Sequence, residues 1–145
     1  MTQNVKISVT ERNGRPCASS GSPWEATIGY SRAVRAGDLI AVTGTVGLEA
    51  DGHYAPNIKG QARRALDIVI AAVEALGGKT TDIIRTRIFV TDISQWKDVG
   101  EVHGQYFGQI RPALTMVEVS RLIDDAAMIE IEAEAIVRPE RLDHI

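Results

Sequence analysis

The chain has 145 residues, 44% hydrophobic and 24% charged, which suits one domain with a proper core and excludes a mainly disordered state. The formal charge of −3 supplies no field to gather polyanions, so nucleic acid is not an expected partner. The single cysteine, Cys17, forms no internal disulfide and fits a reducing cytoplasm; no apolar run approaches the roughly 20 residues of a membrane span, and the polar N-terminus lacks a signal peptide's apolar segment.

Val5 to Thr10 reads as a short strand, followed by a Gly/Ser/Pro-rich loop from Asn13 to Ser22. Tyr30 to Val34 and Asp38 to Thr45 read as two strands joined by the turn Arg35-Ala36-Gly37. Ile58 to Leu76 is a helix: Ile58, Ala62, Ala65, Leu66, Val69, Ala72, Val73 and Leu76 form one apolar stripe, Asn57 caps it and Gly77-Gly78 stops it. Asp82 to Thr91 alternates as a half-exposed strand. Ile84, Thr86, Ile88 and Val90 share one face; Arg85, Arg87 and Phe89 share the other. Ser94 to Phe107 is a weaker helix, with Trp96, Val99, His103 and Tyr106 or Phe107 inward and Gly100 and Gly104 weakening it. Leu114 to Ser120 and Met128 to Val137 are the last strands; in the second, Ile129, Ile131, Ala133, Ala135 and Val137 oppose a ladder of Glu130, Glu132 and Glu134. The order β-β-β-α-β-α-β-β implies an α+β fold, a six-stranded mixed sheet with two helices on one face. The other face is left for solvent or a second subunit.

Few residues announce chemistry. Cys17 has no neighbouring base in sequence, so an incidental loop thiol is its default reading. His53, His103 and His144 show no metal-ligand spacing, so no metal site is expected. Glutamates two apart in a strand are about 6.5–7 Å apart, too far for adjacent ones to clamp a small ion easily. A solvated acidic row is the plain reading of the ladder. One glutamate in a cleft, with its proton affinity raised, is the functional one. Thr43-Gly44-Thr45 hints at a close backbone approach at a strand end.

A family pattern is nevertheless visible. Gly29-Tyr30, DLIAVTGTVGL, Gln61-Ala62-Arg63 opening a helix, DIIRTRIFVTDI, and RPALTMVEVSRL followed by IEIEAEAIV resemble the RidA-like (YjgF-like) reactive-intermediate deaminases, a family also labelled endoribonuclease. The resemblance covers about Tyr30 to Val137 and matches residues 1–28 only loosely; it implies a single domain over 1–145. It further implies a chorismate-mutase-like fold, a homotrimer with a central barrel, and a small-molecule cleft at each subunit interface, with no cofactor. Position by position, it makes Glu130 the residue that handles the hydrolytic water, and Tyr30 and Thr43 cleft-lining residues. It sets Leu114 where the family's carboxylate-clamping arginine stands. Met116, on the same strand face, makes that wall more apolar.

Leucine offers neither charge nor donor, and two charge-assisted hydrogen bonds at ~1.5–3 kcal/mol each are lost, about 10²–10⁴ in rate if expressed in the transition state. Arg32 and Arg111 are the nearest substitutes by sequence, against a default of surface arginines. Three functions follow: hydrolytic deamination of an enamine, imine or related C=N compound with standard imino-acid activity impaired; a non-catalytic small-molecule-binding trimer; and, weakest given the charge and the missing histidine pair, an endoribonuclease or translation inhibitor.

Overall fold

The computed structural model describes residues 5–139, so His144 lies outside the described residues. They form one mixed sheet of seven strands: β1 (Ser8–Arg12), β2 (Arg15–Ser19), β3 (Ala33–Ala36), β4 (Leu39–Val46), β5 (Ile83–Val90), β6 (Ala113–Glu118) and β7 (Ile129–Ile136). The spatial order is β1-β2-β3-β4-β7-β5-β6. Only β5 and β6 run parallel, a pairing that needs a crossover. Helix α2 (Trp96–Phe107) supplies it, and α1 (Ile58–Ala75) links β4 to β5. Both helices cover one face. That face presents Ala18, Ala33, Val42, Thr86, Ile88, Ile131 and Ala133 to them, with Leu66, Val69, Val99, Val102 and Phe107 packed above. Each fully buried large side chain contributes about 1.5–3 kcal/mol.

The expected six strands become seven because the Gly/Ser/Pro stretch 13–22 holds a strand. Asn13 and Gly14 both have positive φ (55° and 75°), the backbone a two-residue hairpin turn demands, and Asn-Gly is its strongest signal. The first strand accordingly runs Ser8–Arg12 and pairs with β2. Cys17 therefore lies on β2, buried, and not in a loop. A five-residue π-helical turn, Glu25–Gly29, follows, so β3 starts at Ala33 and Tyr30 precedes it.

Helix α1 meets its expected bounds closely. Asn57 Oδ1 accepts from the Gly60 amide at 2.8 Å, and at the other end Arg35 Nη1 donates to the Leu76 carbonyl at 2.8 Å. Two inward assignments fail. The β5–β7 register shifts between Ile83 and Arg85, so Ile83 takes the core position and Ile84 turns outward, 50% exposed. Trp96 opens α2 at its solvent end and is 52% exposed. His103 is a satisfied core histidine: Nε2 lies 2.9 Å from Thr86 Oγ1, its ring packs on Phe107, and burial lowers its proton affinity.

Candidate active site

The uncovered face carries the glutamate ladder of β7. Register sets Glu134 opposite Arg85, Glu132 opposite Arg87 and Glu130 opposite Phe89. The first two form ion pairs, Arg85 Nε–Glu134 Oε1 at 3.3 Å and Arg87 Nη1–Glu132 Oε1 at 3.2 Å. Glu130 faces a ring instead of a cation. On its other side β4 shifts register between Val42 and Thr45, and this bulge brings Gly44 under the Glu130 carboxylate. A methyl group added to Gly44 would overlap Glu130 Oε2, so glycine is required for the approach. Burial chiefly, then the charge of Glu132, push the Glu130 carboxyl above its ordinary range, and Arg32 pulls it back down.

Of the two candidate substitute cations, Arg32 departs from the surface default. It is not on the surface: it is only 8% exposed. Its Nη1 donates to the Gly44 carbonyl at 2.8 Å and to Thr45 Oγ1 at 3.2 Å, and its guanidinium carbon lies 5.7 Å from the centre of the Tyr30 ring. Alternation of β3 fails to flag it because it precedes the strand. Arg111 is exposed, with φ 57°, and its Nε donates within its own turn to the Gly108 carbonyl at 3.2 Å.

Tyr30 and Thr43 line a concavity of about 930 Å³ together with Cys17, Glu25, Arg87 and Glu132. Thr43 sits in the bulge, its amide donating to the Arg32 carbonyl at 3.0 Å. Leu114 and Met116 are elsewhere. They lie opposite Thr86 and Ile88 on the helix-covered side of the edge strand β6, whereas Glu130 occupies the open side. Glu132 and Glu134, not Glu130, form the acidic wall of that concavity; Arg32 links Tyr30 to the Gly44 bulge against which the Glu130 carboxylate lies, and Leu114, 39% exposed, and Met116 are apart.

Two further residues reach Glu130 through long-range contacts that no local pattern signals. Tyr54 is pushed up to about 12 by burial first, then by its hydrogen bond to Asp124 and by the charges of Asp124 and Glu130. Gln61, fully buried, donates Nε2 to the Ala55 and Ala126 carbonyls at 3.0 and 3.1 Å, and its Oε1 accepts from the Met128 amide at 2.8 Å. It ties the Tyr54 loop to the segment leading into Glu130. Among the described residues no group of three or more His, Cys, Asp or Glu side chains is placed to hold a metal ion. No helix there is long and apolar enough to cross a membrane.

Comparison with known proteins agrees with this architecture. The family model described as Endoribonuclease L-PSP matches residues 21–137. A solved Mycobacterium tuberculosis protein of the YjgF/YER057c/UK114 family is 49% identical, with a TM-score of 0.79 over 85% of this chain and 99% of that one. Escherichia coli 2-iminobutanoate/2-iminopropanoate deaminase is 37% identical over 118 residues, 78% of this chain and 91% of the relative. The E. coli protein TdcF, solved with bound serine, is 31% identical with a TM-score of 0.71 over 75% of this chain and 88% of that one. The chain belongs to the endoribonuclease L-PSP family of RidA/YjgF-like proteins.

Proposed function

We propose that the protein hydrolyses a small imine or enamine, with Glu130 handling the water, in a homotrimer whose ligand clefts lie between subunits. The observation that carries this reading is the contrast within the ladder: Glu130 alone is set against a bare backbone glycine, and burial raises its proton affinity. A carboxylate so poised takes a proton from water as the oxygen adds to the carbon of the protonated imine, which leaves a neutral carbinolamine. It returns that proton to the nitrogen, then takes the hydroxyl proton as the C–N bond breaks and the carbonyl forms, and passes it to the departing ammonia, which leaves as ammonium. The E. coli relative named as an imine deaminase supports the reaction class, and the serine-bound relative supports a ligand of small-metabolite size.

The interface cleft has a geometric argument. Leu114 and Glu130 lie on opposite faces of one sheet, so a cleft using both must draw them from two subunits. With leucine in place of a clamping arginine, hydrolysis of 2-iminopropanoate should be poor, and imines without a carboxylate should be better substrates. Semicarbazide competition with enzymatically generated imines measures both, and sedimentation should give about three times 15.7 kDa. A monomer would overturn the cleft. Failure to hydrolyse any imine that binds would favour the second reading, a non-catalytic ligand-binding trimer, which the exposed apolar Leu114 supports.

A further inference from the structure

We propose that Arg32 is the positioning residue of Glu130: it pins the β4 bulge on which the Glu130 carboxylate rests and presents a fixed positive charge to it. The proposal rests on the reading that Glu130 handles the water. The pinning is visible in the hydrogen bonds. Arg32 Nη1 holds the Gly44 carbonyl and Thr45 Oγ1, Thr45 Oγ1 in turn donates to the Thr43 carbonyl at 2.7 Å, and the Arg32 carbonyl accepts from the Thr43 amide. The Arg32 side chain thereby holds Gly44 and Thr45 while its main-chain carbonyl holds Thr43, and the central glycine of the bulge is in contact with Glu130.

The Arg32 charge acts on two carboxylates, Glu130 and Glu25, and is not consumed in a hydrogen bond to either. Both Nη1 acceptors are uncharged, and Nε is buried with no acceptor among the described residues. An unmet buried donor costs stability. A residue kept only to brace the fold would do better with its donors satisfied. The groups facing Glu130 and its neighbour are few. Arg32 enters from the segment before β3, and Glu132 from β7 itself, already paired with Arg87 of β5. Tyr54 comes from the loop after β4 and is bonded to Asp124. Glu25, beyond Arg32, is occupied by Ser19 Oγ at 2.6 Å and Ser20 Oγ at 2.8 Å. Arg32 is the cation among them that acts on Glu130, and its own side chain donates to a carbonyl and a hydroxyl.

The test is a carbon-13 carboxyl titration of Glu130 in the full-length protein, wild type against Arg32→Gln and Arg32→Lys, with pH–rate profiles on the best imine substrate. Arg32→Gln should raise the Glu130 midpoint, move the acidic limb of the rate profile to higher pH, and lower kcat about 100-fold, as ~1 Å of misplacement does, with KM little changed. Arg32→Lys keeps the charge and loses the span, so its midpoint should stay near wild type while kcat still falls. An unmoved midpoint in Arg32→Gln overturns the proposal, as does full kcat in Arg32→Lys. The lysine variant decides the matter if the glutamine variant does not fold. The midpoint needs no turnover. If Glu130→Gln leaves hydrolysis intact while Arg32→Gln shifts the midpoint, the reaction assigned to Glu130 fails and the positioning by Arg32 stands.

Discussion

The two ends of β7 carry the same side chain on the same face and behave differently. At the Ile136 end, Glu132 and Glu134 each face an arginine one strand away and are neutralised by it. At the Ile129 end, Glu130 pairs with Phe89 on β5 and Val46 on β4, and its carboxylate lies over Gly44 at the bulge. Alternation makes all three equal. The neighbours, set by register on two different strands, make one a candidate acid–base group and two a structural row. A ladder of like residues is therefore read from its cross-strand partners, not from its own sequence.

The largest effect that could break this contrast is on activity. Glu130→Gln should cost about 10²–10⁴ in imine hydrolysis, the worth of a positioned acid–base group. Glu132→Gln and Glu134→Gln should each stay within tenfold in the same semicarbazide-trap assay. Equal losses across the ladder would remove the distinction. Next come two glycines that differ in what a methyl would meet. Gly44→Ala meets the end of the flexible Glu130 side chain, so the fold should survive while activity falls about 100-fold as the carboxylate is displaced. Gly47→Ala meets the backbone of Gln61 in α1, which cannot swing away, and should lose about 1–3 kcal/mol in denaturant unfolding.

How much of this was legible in the sequence depended on range. Helix α1 was, since its stripe, cap and stop are local. The Thr43-Gly44-Thr45 run also signalled a close approach correctly, although it could not say that Glu130 makes it. β2 was hidden by composition: Pro, Ser and Gly suggest a loop, yet small Cys17 and Ala18 suit a buried strand behind an Asn-Gly turn. Ile84 was assigned inward because a bulge shifts alternation by one, and bulges are set by the partner strand. Arg32, Tyr54 and Gln61 join the Glu130 neighbourhood only through contacts spanning tens of residues. The resemblance named Tyr30 and Thr43, which line one concavity, Glu130, which lies against the Gly44 bulge next to it in sequence, and Leu114, which lies on the other face of the sheet.

A pH series sharpens the contrast between half-buried Glu130 and the buried carboxylate Glu25. Glu130 binds its proton more tightly when folded, so its contribution to stability is full below about pH 4.5 and is lost as pH rises through its raised folded value. Glu25 is the reverse. Burial alone would raise it, but hydrogen bonds from Ser19 and Ser20 and the charge of Arg32 lower it overall. Its contribution is present above about pH 4.5 and is lost as pH falls through its depressed value. At neutral pH, Glu130→Gln should therefore raise the thermal midpoint and Glu25→Gln should lower it. Both differences should shrink toward pH 3.5.

The smallest effect tests the structural end of β7. Arg87 and Glu132 are half-exposed in the single chain, and such a pair is worth about 0.2–1 kcal/mol. A double-mutant cycle with Arg87→Gln and Glu132→Gln should return a coupling in that range. In 1 M salt, where the Debye length is about 3 Å, most of it should vanish. The salt dependence also reports on what covers the open face. If a second subunit excludes water from it, the coupling should exceed about 1 kcal/mol and persist in salt, because buried pairs are screened far less. A weak, salt-sensitive coupling at concentrations where sedimentation finds a trimer would mean that the Arg87–Glu132 row stays wet within the assembly. The cleft would then be confined to the Glu130 end of the strand.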